Sequence, residues 1–109
     1  MSDVVTVSER KARETARRRA AADLIMTECR AYAACYGGRF LVFGSVAEDR
    51  MKFDSDFDVV VDFPEHEKEA VNFVEEACHR LNLPCDVIPK STSSERFLDR
   101  INNHAVPLP

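Results

Sequence analysis

The stretch Gly44–Phe63, GSVAEDRMKFDSDFDVVVDF, opens on a Gly-Ser pair and ends in a valine-rich run that begins with aspartates at alternate positions. Alternate side chains of a strand share a face. Asp56, Asp58, Val60 and Asp62 therefore fall on one side of a strand spanning Asp56–Phe63, and Phe57, Val59, Val61 and Phe63 on the other. The second set is apolar throughout, so that face packs on a core. Asp56 and Asp58 then have Cα atoms about 6–7 Å apart, and their charges repel by about 2–3 kcal/mol at an effective dielectric of about 20. Protonation of one carboxyl relieves the repulsion, and a divalent cation relieves it more completely. A turn over Asp54-Ser55-Asp56 is the alternative reading of the same residues.

Outward from this stretch, Phe40–Phe43 (FLVF) reads as a buried strand ended by Gly44, with Ser45 capping a short helical turn. Upstream, Ser8–Tyr36 reads as one long helix capped by Ser8. Ala12, Ala16, Ala20, Leu24, Ile25, Cys29 and Tyr32 keep helical spacing, and Gly37 and Gly38 stop the helix. Downstream, Pro64 ends the strand and opens a helix with an acidic first turn and a buried stripe of Ala70, Val71, Val74, Ala77, Cys78 and Leu81. Leu83–Ile88 (LPCDVI) reads as a third strand, and Ser93–Asn102 as a last helix with Phe97, Leu98 and Ile101 inside. The order α-β-α-β-α-β-α predicts an α+β domain, a small mixed sheet with helices packed on it. A single domain is expected over residues 1–109, with a helix at 8–36 and a core at 39–109.

The composition suits one core: 109 residues, 45% of them apolar. A net charge of -4 argues against the whole surface binding nucleic acid. The basic run Arg10–Arg19 is interrupted by Glu14 and has no interleaved aromatics, which predicts a solvated helix face or a docking surface for a partner. No apolar run approaches the roughly 18 residues of a membrane span. The start, MSDVVTVSERK, lacks the order of a signal peptide, so a cytoplasmic protein is expected. Cys29, Cys35, Cys78 and Cys85 form no C-x-x-C pair and are expected reduced and buried. His66, His79 and His104 read as surface or boundary residues.

Asp86 is a third carboxylate, mid-strand in an apolar setting where an acid needs a partner or a metal. If its strand lies beside that of Asp58, the trio Asp56, Asp58 and Asp86 suits a hard cation such as Mg2+ and two-metal phosphoryl or nucleotidyl transfer. Gly44 allows close backbone approach, and Ser45 offers a hydroxyl to an anion.

These pieces, LVFGS (Leu41–Ser45), DSDFDVVV (Asp54–Val61) and CDVI (Cys85–Ile88), resemble the minimal nucleotidyltransferases of the DNA polymerase beta nucleotidyltransferase superfamily. Their pattern is an apolar strand, Gly-Ser, about ten residues and Asp-x-Asp, with a later acidic residue. The closing FLDRINNHAVPL is similar to their C-terminal helix and tail. The resemblance implies the nucleotidyltransferase fold, with Asp56, Asp58 and Asp86 as catalytic metal ligands for Mg2+ or Mn2+. Asp86 also activates the attacking hydroxyl, and Gly44 and Ser45 hold the phosphates of a nucleoside triphosphate, ATP by the same resemblance. The reaction implied is attack of an acceptor hydroxyl on the α-phosphorus, moving AMP to an acceptor that can be a partner protein. Members often pair with a HEPN-type helical toxin in a toxin-antitoxin system. That implies a second reading, a binding module that neutralises such a partner. Where many relatives read Gly-Ser-x-Ala-Arg-Gly, this chain carries Glu48 and Asp49; Arg50 and Lys52, close behind, read as solvated loop charges.

Overall fold

The apolar face of the central strand dictates the layout. The structure, a computed structural model, describes residues 6–109; the opening MSDVV, read above for a targeting signal, lies outside the described residues. Helix α1 (Val7–Tyr36) leads to β1 (Arg39–Phe43) and the one-turn α2 (Gly44–Ala47). Strand β2 (Phe57–Asp62), α3 (Glu67–Arg80), β3 (Cys85–Pro89) and a 3-10 turn (Lys90–Thr92) follow. The chain closes with α4 (Glu95–Asn102) and β4 (Val106–Leu108). The sheet is four-stranded, in the order β3-β2-β1-β4. Strand β1 runs antiparallel to β2 and β4, while β2 and β3 are parallel, so the sheet is mixed as expected.

Alternation along β2 holds. Phe57, Val59 and Val61 are fully buried and, with Phe63, join Ile25, Cys29, Val74 and Cys78 from α1 and α3 in the main core. On the opposite face Val60 and Leu41 pack with Ile101, Phe97 and Leu98 of α4. Gly37 ends α1 in the left-handed conformation, φ 73°, and its N–H returns to the Ala33 carbonyl at 2.9 Å. At Gly38 a Cβ would run into the Phe63 ring, so the missing side chain admits the core aromatic.

Several expectations need correction. Thr6, not Ser8, caps α1: its hydroxyl accepts from the Glu9 N–H at 3.1 Å, which moves the helix start back. Ala20 and Leu24 are exposed, and Ala21, Ala22, Ile25, Cys29 and Ala33 form the buried stripe. A strict four-residue spacing drifts around a helix of about 3.6 residues per turn, and the amino-terminal half of α1 packs through polar side chains instead. Ser45 lies inside α2, whose cap is Phe43 without a side-chain bond. Pro64 opens a turn, and α3 begins only at Glu67. Asp56 precedes β2 instead of starting it. Cys35 is exposed, unlike the buried Cys29 and Cys78. The tail holds a fourth strand: Val42 pairs with Val106 and Phe40 with Leu108.

Candidate functional site

The strand register assembles the site. Asp58 is the Cα partner of Asp86 on β3 and of Phe43 on β1, so Asp86, Asp58 and Phe43 form one row across three strands. Directly opposed residues present their side chains to the same face, the face that α4 covers further along. Asp56 sits just before β2, in a segment held at Phe57, whose N–H donates to the Pro84 carbonyl at 2.9 Å. Asp58 is half-buried, whereas Asp56 and Asp86 are exposed. The exposure of Asp86 corrects the expectation of a buried strand: among the described residues β3 is an edge of the sheet.

The pKa of Asp58 is pushed up to about 6, first by burial, then by the charges of Asp86 and Asp56. The next acid on its face differs. Asp62 lies against Arg39 Nε at 2.9 Å and Lys90 Nζ at 3.4 Å, so its charge is matched. Among the described residues Asp58 thus carries an uncompensated charge, on a strand that neutralises its other carboxylate. Gly44, at φ 72°, sits against this acid: a Cβ there would collide with Asp58 Oδ2. Only glycine lets the Gly-Ser backbone approach the carboxylate so closely.

Among the described residues no group of three His, Cys, Asp or Glu side chains is arranged to hold a metal ion as it stands. The charges of Asp86 and Asp56 nevertheless act on Asp58. The donor set is all hard oxygen, and the missing Cβ at Gly44 lets the Asp58 carboxylate lie against the Gly-Ser backbone, so the residues fit a divalent cation.

The turn reading of Asp54-Ser55-Asp56 falls to Ser55. Its Oγ accepts from the Lys52 N–H at 2.7 Å and its own N–H donates to the Lys52 carbonyl at 3.1 Å. The Gly-Ser loop also answers the question its acids raised. Arg50 pairs with Glu48 at 3.0 Å and holds that carboxyl below its usual range. Asp49 is paired with Arg19 of α1. Asp49 is left-handed, φ 55°, at the position where the resembling motif carries glycine; aspartate is among the few side chains that tolerate this conformation.

A cleft of ≈ 240 Å³ opens beside Gly44, lined by Phe43, Glu48, Phe97, Arg100 and His104 among others. Arg100 sits over the Phe97 ring, 5.4 Å from its centre, and Phe97 meets Phe43 edge-on at 5.6 Å. Sequence reasoning did not find Arg100 as a cleft residue, because only the packing of α4 brings it to Gly44. It also took Arg17, Arg18 and Arg19 for solvated or partner-docking charges, whereas all three bond within the chain. The one legible signal was Glu14, spaced three and four residues from Arg17 and Arg18.

Residues 23–106 match the family model described as a nucleotidyltransferase domain. No curated protein and no solved structure matches the chain.

Proposed function

The chain belongs to the nucleotidyltransferase domain family, and from that premise we propose that it is a metal-dependent enzyme moving AMP from ATP to a hydroxyl acceptor, which can be a partner protein. The observation that carries this reading is the unmatched, half-buried charge of Asp58, with Gly44 cleared away beside it and Asp86 opposite in register. Asp56, Asp58 and Asp86 would hold Mg2+ or Mn2+. When bound, such a cation supplies charge stabilisation to the attacking and leaving oxygens of phosphoryl transfer.

The chain's own residues supply the rest. Gly44 leaves backbone space for a phosphate, and the Ser45 hydroxyl donates to one of its oxygens. Arg100, which lines the adjoining cleft, would offer a cation to the triphosphate tail. Asp86, the exposed acid at the sheet edge, accepts the proton of the acceptor hydroxyl. The hydroxyl oxygen then forms its bond to the α-phosphorus, the bond from that phosphorus to the bridging oxygen breaks, and pyrophosphate leaves with the electron pair. In this reading the domain occupies residues 1–109, with 39–109 as the catalytic core, and works in the cytoplasm.

A second reading, a binding module that neutralises a HEPN-like partner, is favoured by Glu48 standing in the cleft where the resembling motif has a cation. One experiment separates the two. Wild type and Asp86→Asn are incubated with α-labelled ATP, Mg2+ and a candidate helical partner. The enzyme reading expects label on the acceptor with wild type, and transfer lower by about 10²–10⁴-fold in the variant with ATP binding retained. Neutralisation of the partner by both proteins, without transfer by either, would leave only the binding module.

A further inference from the structure

Four basic side chains of α1, Lys11, Arg17, Arg18 and Arg19, are engaged within the chain. They close on two places in the same domain. Arg17 donates to the Leu81 and Asn82 carbonyls at 3.0 and 2.8 Å, closing the end of α3. Arg18 donates through Nη1 to the Ser55 carbonyl at 2.7 Å, immediately before Asp56. Glu14 binds both guanidinium groups, Arg17 at 2.8 Å and Arg18 at 2.7 Å. Arg19 is bonded to Asp49, and Lys11 stands over the Phe53 ring, 4.7 Å from its centre. Three side chains of one helix therefore hold residues 49, 53 and 55, which belong to the loop between Gly44-Ser45 and Asp58.

We propose that this half of α1 is a brace for the acidic loop, with Arg18 as its positioning residue. The proposal rests on the reading of Asp56 and Asp58 as metal ligands. The Arg18 side chain is only 16% exposed, so its fork is confined between Glu14 and the Ser55 carbonyl. Ser55 in turn fixes Lys52 through Oγ, which closes the loop on itself. A loop that enters β2 at Phe57 and whose Ser55 carbonyl is held from α1 leaves Asp56, between them, little backbone freedom. A ligand fixed in this way loses less entropy when a cation draws the carboxylates together, and partners one step behind a ligand are typically worth about 10–100-fold in metal affinity. The brace also precedes the stretch that matches the family model, residues 23–106, so it is a feature of this chain beyond that match.

Arg17 is the matched control. It shares Glu14 with Arg18 and fastens the same helix, but it grips α3 and not the loop. Arg17→Gln and Arg18→Gln are compared with wild type by Mn2+ titration in the presence of ATP, followed by electron paramagnetic resonance. Amide hydrogen exchange of residues 52–58 is measured in the metal-free proteins, with urea denaturation recording the fold. Arg18→Gln is expected to weaken Mn2+ binding by about 10–100-fold and to speed exchange in the loop, with Arg18→Lys falling between it and wild type. Arg17→Gln is expected to show wild-type Mn2+ affinity and loop exchange, even where its urea midpoint falls as far. Equal effects of the two glutamine variants, or unchanged binding and exchange in Arg18→Gln, overturn the brace while the wild-type titration leaves the metal site standing. A wild type that binds no Mn2+ with ATP removes the metal site and the brace together, whatever the exchange shows.

Discussion

Asp58 holds a charge that its burial and the charges of Asp86 and Asp56 resist. Its folded pKa of about 6 lies above the ordinary aspartate value of 3.8. Between these values the folded chain binds more protons than the unfolded one, so stability falls as pH rises from about 4 to about 6. Asp58→Asn removes the strain. In chelator at about pH 7.5 the variant is expected to be more stable than wild type by about 1–3 kcal/mol, converging with it below about pH 4. Urea denaturation at both pH values checks this, and equal stability at the higher one would mean that the charge is accommodated. Gly44 gives a second test at this scale. Gly44→Ala meets both a left-handed backbone and the Asp58 carboxylate. The backbone alone costs about 1–2 kcal/mol. Asp58→Ala should recover the part that comes from collision and none of the backbone part, a coupling that a double-mutant cycle reads directly. Strictly additive losses would show that the two groups do not meet.

Among the elements, β4 contributes more than its length suggests. Leu108 is fully buried in the main core, and its strand covers the edge of β1 that would otherwise be open. Leu108→Ala is expected to cost about 2–5 kcal/mol, as for a buried leucine elsewhere, measured as a shift in urea midpoint at constant slope. A cost below about 1 kcal/mol would mark the tail as a loose appendage. Helix α4 connects this strand to the cleft: its inner face meets Leu41 and Val60 while Phe97, Arg100 and His104 border Gly44. A lost tail should therefore disturb the cleft as well as the sheet.

At the scale of the molecule, the sheet sets Asp58 opposite Asp86 on the face that α4 covers further along, and a bound cation would act on the whole fold. If the proposed site is correct, millimolar Mg2+ or Mn2+ with ATP raises the melting temperature of wild type through binding linkage, since a ligand at about 100 times its Kd adds about 2.7 kcal/mol. Asp58→Asn should begin from a higher melting temperature in chelator and lose the metal response. Opposite signs for the two effects are the signature of a charge kept uncompensated for a ligand. A wild-type melting temperature indifferent to metal and nucleotide would oppose the site.

No helix among the described residues is long and apolar enough to cross a membrane. The three expected strands, the long first helix and the α+β class were legible in the sequence because period-two and helical patterns report burial directly. Gly44, Asp58 and Asp86 were legible as candidates because glycine and aspartate are costly at such places unless something uses them. Element edges were less so: Thr6 and Ser8 are equivalent caps by residue type, and the choice between them depends on where the helix docks. The fourth strand, VPL, was hidden because three residues with a central proline carry no alternation, and β1 alone supplies their partner. Parallel pairing of β2 and β3, which sets Asp58 opposite Asp86, was open until the fold closed. The arginines of α1 were read as solvated or partner-docking, since an arginine's bonding partner is set by what lies across from it in space. Local sequence determined which segments bury which faces; only the tertiary structure decided which distant backbone carbonyls and carboxylates those charges would meet, because such contacts join residues as far apart as Arg17 and Asn82.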